Sequence, residues 1–326
     1  MKKVLLTGAA GFIATRTAFQ LLDDGVEVIG VDNLNDAYDS RLKDHRLGEL
    51  KKRDGFEFHH LDIADLPALR KVFEQHGDFD AVFNLAARAG VRYSIENPHV
   101  YLQSNAQGCL NVLELMREFG VKKKTLASTS SLYAGQPLPF VETLPVDRPL
   151  SPYASSKKAA EVMCYTYHHL FDIDVTVLRY FTVYGPAGRP DMAPFRFIKW
   201  IDEGTPITVF GDGKQSRDFT YVDDIASGTI AAAKPVGYEI VNLGGGKRPV
   251  DLLELISTME EKLGKKATIE WKPAHKADMK DTSANIEKAK SLLGWEPQID
   301  LEEGIERTIE WWRQNRDWAS KVDVQL

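Results

Sequence analysis

The chain has 326 residues, with 41 Lys plus Arg against 47 Asp plus Glu and a formal net charge of −6. At about 150 residues per domain, this length fits two domains or one large α/β unit. The acidic balance argues against a nucleic-acid partner, which selects for basic surfaces. A content of 43% hydrophobic and 27% charged residues excludes a disordered chain. No apolar run approaches the roughly 18–20 residues that span a bilayer, so no membrane partner is expected.

The basic start Met1-Lys2-Lys3 leads into an apolar run that breaks at Thr7-Gly8. That run is too short for a signal peptide and predicts a buried first strand over 4–7. A helix over 11–24 and a strand over 26–32 follow. Further strands are predicted over 56–61, 81–85, 124–129 and 175–180, with helices over 66–76, 100–119 and 154–171 between them. Strands separated by helices imply βαβ units and a parallel sheet. Apolar residues in succession, as in Lys3-Val4-Leu5-Leu6 and Ala81-Val82-Phe83, fit strands covered on both faces.

Beyond residue 181 the alternation loosens. Gly and Pro cluster over 184–190 and again at Gly211-Asp212-Gly213. A strand over 240–243 is expected to return to the sheet, and a helix, a short strand over 268–271, a loop and further helices complete the chain. The expected division is a doubly wound Rossmann-type domain over 1–181 and a smaller α/β lobe, mainly 182–326. Cys109 and Cys164 are the only cysteines; two do not make a disulfide framework, and a reducing cytoplasm fits them. No metal site is expected.

Two motifs carry chemistry. Thr7-Gly8-Ala9-Ala10-Gly11-Phe12-Ile13-Ala14 joins the first strand to a helix, where glycines let backbone N–H groups approach a pyrophosphate. Asp32 ends the second strand, placed to accept hydrogen bonds from a ribose diol and to repel a 2′-phosphate, which favours NAD over NADP. Ala14 stands at the third small position, which serves helix–strand packing. Further on, Tyr153 and Lys157 lie four residues apart at the start of a helix, after the hydroxyl run Ser128-Thr129-Ser130-Ser131. A lysine ammonium and a cationic nicotinamide would lower the tyrosine toward neutrality and make it a general base.

With these motifs the chain resembles the extended short-chain dehydrogenase/reductases, specifically the nucleotide-sugar epimerases. Asp32-Asn33-Leu34-Asn35, Leu61-Asp62-Ile63, Asn84-Leu85-Ala86-Ala87, Ser104-Asn105, Arg179-Tyr180-Phe181 and the segment 211–224 carry the likeness. The segments 32–38, 89–94 and 182–193 make it most similar to the UDP-glucuronate 4-epimerases.

The resemblance implies an NAD site formed by Gly8, Gly11, Phe12, Ile13, Asp32, Asn33, Asn35, Asp62, Ile63, Ala86, Ala87, Arg88, Asn105, Tyr153, Lys157 and Tyr180. It makes Tyr153, Lys157 and Thr129 catalytic. It assigns a UDP-sugar partner to Ser130, Ser131, Thr182, Arg189, Thr208, Phe210, Arg217 and Asp278. Arg189 is expected to grip the sugar carboxylate in a two-bond fork. Related decarboxylases carry Glu at the position of Ser131, and related 4,6-dehydratases carry an Asp-Glu pair at Ser130-Ser131. The two serines therefore favour epimerisation. Neutral UDP-hexose epimerisation and UDP-glucuronate decarboxylation remain as alternatives. The family's dimers also imply a homodimer built through the helices over 100–119 and 154–171.

Overall fold

The computed structural model describes residues 1–273 and 279–324. Six strands follow one another from the N-terminus: β1 (Lys3–Thr7), β2 (Glu27–Asp32), β3 (Phe56–His60), β4 (Ala81–Asn84), β5 (Lys123–Thr129) and β6 (Asp174–Tyr180). A seventh, Tyr238–Leu243, returns beside β6. All seven are parallel, in the order Tyr238–Leu243, β6, β5, β4, β1, β2, β3. The strand order reverses between β1 and β4, and a ligand crevice opens beyond the strand C-termini at such a point.

Helices cover both faces: α1 (Phe12–Asp23), α2 (Arg41–Leu50), α3 (Leu66–His76), α4 (Val91–Glu96), α5 (Pro98–Tyr101), α6 (Gly108–Phe119) and α7 (Pro152–Phe171). The sequence-predicted helix over 100–119 is divided. A π-type segment, Leu102–Gln107, joins α5 to α6. The start of α7 follows from its residues: the Ser151 hydroxyl accepts from Ala154 N at 3.1 Å and Pro152 takes the first helical position. The middle of the sheet is buried on both faces, with Leu5, Val82, Phe83 and Val177 all fully enclosed.

Helix α2 has no counterpart in the sequence reading. Its buried face holds Lys43 and Arg46 as well as Leu42, Leu47 and Leu50, so its apolar periodicity is broken by cations. The rest of the chain forms a second core around Phe195, Ile198, Met259, Ile305 and Trp312. Its sheets are two-stranded, with strands of two to four residues: Thr182–Tyr184 with Phe219–Tyr221, Ser216–Arg217 with Val250–Asp251, and Ile207–Phe210 with Ile269–Lys272. Among the described residues, no helix is long and apolar enough to cross a membrane.

Candidate active site

A cleft of about 450 Å³ lies over the crest of the sheet, at the β1/β4 switch point, and reaches the second lobe. At its floor Gly8 N and Ala9 N donate to Val31 O at 2.7 and 3.1 Å, and Gly11 N donates to Gly8 O at 2.7 Å. Gly8 has φ +74°, and a Cβ there would meet the Ala86 backbone at 2.8 Å. Only glycine fits both the angle and the approach. The Asp32 carboxylate accepts from Ala10 N at 3.1 Å and Leu34 N at 2.8 Å, which aims it across the loop mouth. This cradle of bare backbone beside a fixed carboxylate suits a dinucleotide pyrophosphate and its ribose.

Asn33 Nδ2 donates to Asp62 Oδ2 at 2.8 Å, and Asn35 Nδ2 to Asn33 Oδ1 at 2.8 Å, so the predicted adenosine-side residues form one network. Phe12, Ile13, Ile63, Ala86, Ala87 and Tyr180 also line the cleft. Arg88 and Asn105 do not. Asn105 clamps the Arg88 backbone from behind, accepting from its N–H at 2.8 Å and donating to its carbonyl at 2.9 Å, while the Arg88 side chain reaches Asn35 Oδ1 at 3.3 Å.

Thr129, Ser130, Ser131, Tyr153, Lys157, Thr182 and Arg189 come together on the cleft wall. Thr129 ends β5, and its Oγ1 accepts from Ser131 N at 3.1 Å. Burial pushes the Tyr153 phenol up, against the Thr129 hydroxyl and the Arg189 cation, which pull it down. Lys157, one helical turn along α7, points its Nζ at Ala127 O, 2.8 Å away. Lys157 is itself pushed down to about 8, chiefly by burial, with Cys109 and Glu161 opposing.

Arg189 is not an open fork either. Its Nε and Nη2 contact Asp191 Oδ1 and Oδ2 at 3.0 and 2.6 Å, and its guanidinium lies 5.6 Å from the Tyr38 ring centre. Arg217 lines the far end of the cleft, where its Nη1 donates to Ser216 O and Lys280 O. Thr208 and Phe210 lie outside the cleft lining. Thr208 Oγ1 reaches Glu270 Oε2 at 3.4 Å, and the Arg92 guanidinium covers the Phe210 ring at 4.5 Å. Asp278 lies outside the described residues.

Sequence reasoning missed Lys43 and Arg46. Lys43 lines the cleft and donates to Asn35 O at 2.7 Å. Arg46 is buried and bridges three segments: Nη1 donates to Tyr38 Oη at 2.7 Å and Ala10 O at 3.2 Å, and Nη2 to Ala187 O at 2.6 Å. The signal was the spacing of Leu42, Arg46 and Leu50, which marks one helix face once a cation is allowed on it.

Residues 4–244 match the model of the NAD dependent epimerase/dehydratase family. A UDP-glucuronate 4-epimerase of Thermodesulfobacterium geofontis is 59% identical over 320 residues, covering 98% of this chain and 99% of that protein. A UDP-glucuronic acid 4-epimerase from Bacillus cereus, solved in complex with UDP-glucuronic acid and NAD, is 38% identical, with a TM-score of 0.89 over 96% of this chain and 99% of that one. A UDP-glucose 4-epimerase from Thermotoga maritima, solved with UDP-glucose, is 31% identical, with a TM-score of 0.86 over 96% and 99% of the two chains.

Proposed function

The chain belongs to the NAD-dependent epimerase/dehydratase family, and from that premise we propose that it interconverts UDP-glucuronate and UDP-galacturonate by reversible inversion at C4. The observation that carries the reading is the cleft wall where Thr129 at the crest of β5, Tyr153 of α7, Ser130 and Ser131 meet, with no carboxylate beside them among the described residues. Similarity of 59% and 38% to UDP-glucuronate 4-epimerases, against 31% to a UDP-glucose 4-epimerase, supports the uronate.

NAD fits the glycine cradle, with Asp32, Asn33, Asn35 and Asp62 at its adenosine end and Tyr153 and Lys157 at its nicotinamide ribose. When bound, NAD would supply the two-electron acceptor and donor for C4, while these residues hold its ribose and pyrophosphate. Tyr153 removes the 4-hydroxyl proton and later gives it back, with the Thr129 hydroxyl orienting both groups. Asp191 fixes the direction of the Arg189 guanidinium on the same wall. Ser130, Ser131 and Thr182 hold the carboxylate, and Arg189, its fork taken by Asp191, supplies charge in place of a two-bond grip. The 4-keto intermediate is a β-keto acid, so a carboxylate held by hydroxyl donors resists loss of CO₂. Arg217 takes the diphosphate at the far end. Residues 1–181 with the returning strand carry the cofactor, and 182–326 mainly carry the sugar nucleotide.

A ¹H NMR time course with UDP-glucuronate tests this reading, and UDP-galacturonate is the expected product. A UDP-pentose would make the protein a decarboxylase. Turnover of UDP-glucose but not of UDP-glucuronate would make it a neutral-sugar epimerase. The proposal extends to a cytoplasmic homodimer. Leu102, Val162, Tyr165 and Leu170 are each at least half exposed on α7 and the π-type segment, which suits a helix-to-helix interface. Light scattering that gives only monomer at micromolar concentration would remove the dimer.

A further inference from the structure

Away from the cleft, three metal-ligating side chains converge at the outer edge of the sheet. Glu57 and His59 are two residues apart on β3, the last strand of the sheet, and share one face. His76 ends α3, whose Leu69, Val72 and Phe73 share a core cluster with Ile29 and Val31 of the adjacent strand β2. His59 Nε2 lies 2.9 Å from Glu57 Oε1 and 3.3 Å from His76 Nε2, and His76 Nε2 lies 3.3 Å from the same Glu57 oxygen. Three lone-pair atoms from three residues thus surround one point.

Hydrogen bonding alone serves this arrangement poorly. If one ring nitrogen donates to the other, the accepting nitrogen still faces the same Glu57 oxygen, lone pair against lone pair. A divalent ion satisfies all three at once. Metal–ligand bonds of about 2.0–2.1 Å place neighbouring donors about 3.3–3.4 Å apart at tetrahedral angles and about 2.9 Å apart at right angles. The three observed edges, 2.9, 3.3 and 3.3 Å, fall in that range. The surroundings also favour a cation. His76 lies at the C-terminus of a helix, where carbonyl dipoles point outward. Glu57 Oε1 also accepts from Gln75 Nε2 at 3.4 Å, a long contact that an ion would displace. Lys3, the nearby cation, is held by Asp78 at 2.7 Å.

We propose that Glu57, His59 and His76 form a divalent transition-metal site that clips the edge strand to the end of α3. Two imidazoles and one carboxylate suit zinc, cobalt or nickel and leave the remaining positions to water. The site ties down the strand that leads to Asp62 and whose last residue, His60, contacts Asn33 O at 3.1 Å.

The test uses the full-length, tag-free protein after chelator treatment, titrated with ZnCl₂ in a calorimeter and melted with and without the ion. One equivalent should bind, with Kd on the order of 1 μM, and Tm should rise with zinc concentration, as for any ligand of the folded state. CoCl₂ should give visible d–d bands. Glu57→Gln, at a half-exposed position on an edge strand, should keep the fold and weaken binding at least about tenfold, as should His76→Gln. No saturable binding up to about 1 mM would overturn the site. So would one-equivalent binding that both variants leave unchanged, because the ion would then sit elsewhere.

Discussion

The two walls of the cleft are held in different ways. On the sheet side, Gly8, Gly11, Thr129 and Asp32 owe their positions to strand register and to backbone hydrogen bonds among Gly8, Ala9 and Val31. On the opposite side the strands are two to four residues long, and charged side chains do the holding. Asp218 accepts from Ala284 N at 2.8 Å and from Gly245 N, Asp281 accepts from Ser216, and Asp191 pairs with Arg189. A strand paired on both sides keeps its place through its backbone ladder when a polar side chain at its crest changes. A two-residue strand has little else to hold it, so the sheet wall should fail mainly where a Cβ or a reacting group is altered, and the other wall where a charge is lost.

The largest effect should come from the reacting group. Tyr153→Phe removes the proton acceptor and little volume. The expected loss in kcat is about 10²–10⁴-fold, with the melting temperature nearly unchanged. Rapid mixing with UDP-glucuronate measures it. A loss under about tenfold would move the base to another group. Next is Gly8→Ala. It places a Cβ against the Ala86 backbone at a left-handed φ, a strain of about 1–3 kcal/mol before any relaxation. NAD affinity should fall, as read by quenching of protein fluorescence, while the same change at Gly25, where a Cβ meets nothing within 4 Å, leaves it intact.

Arg46 joins the two walls, so its loss should hurt both. Arg46→Met strands the Ala10 and Ala187 carbonyls and the Tyr38 hydroxyl, each at about 1–3 kcal/mol when left unpaired. Arg46→Lys should rescue only part of this, since one ammonium cannot span the fork. Denaturant melts in both variants measure the difference; equal stability of the two would assign Arg46 a packing role alone.

The same contrast explains what could be read in the sequence. Strands such as β1 and β4 were legible because burial on both faces writes unbroken apolar runs, and the glycine loop because its backbone geometry admits few residues. The course of α3 over 66–76 was legible because Asp65 caps it, accepting from Ala68 N at 3.0 Å, and its apolar positions repeat. Helix α2 was not, because Lys43 and Arg46 occupy its inner face and bond to carbonyls contributed by distant segments. The pairing of Arg189 with Asp191 was open to inspection, two residues apart, yet a fork free for a ligand and a fork held by a neighbour have the same sequence. The removal of Thr208 and Phe210 from the cleft wall depends on how the strand Ile207–Phe210 lies against Ile269–Lys272, a pairing between short segments some 60 residues apart.

The smallest effects, and the sharpest contrast, lie within the second lobe. Burial pushes Asp202 up, but Lys265 and Arg316, each at 2.6 Å, and the Trp312 indole at 3.0 Å outweigh it and hold the carboxyl at about 2. Burial pushes Asp218 up to about 6, because only N–H groups of Ala284, Gly245 and Gly246 oppose it. The signs are therefore opposite. Asp202 has a lower pKa folded than unfolded, so the stability it contributes is present above about pH 4 and lost as pH falls toward 2. Asp218 has a higher pKa folded than unfolded, so its contribution is full below about pH 4 and lost as pH rises through 6. Each should amount to about 2–3 kcal/mol over its window. Denaturant melts of Asp202→Asn and Asp218→Asn beside the unaltered protein, from pH 2 to 7, should give difference curves that slope in opposite directions. Curves that run parallel would mean that the cations around Asp202 and the bare amides around Asp218 stabilise charge equally, and the distinction between paired and unpaired carboxylates in this lobe would fall.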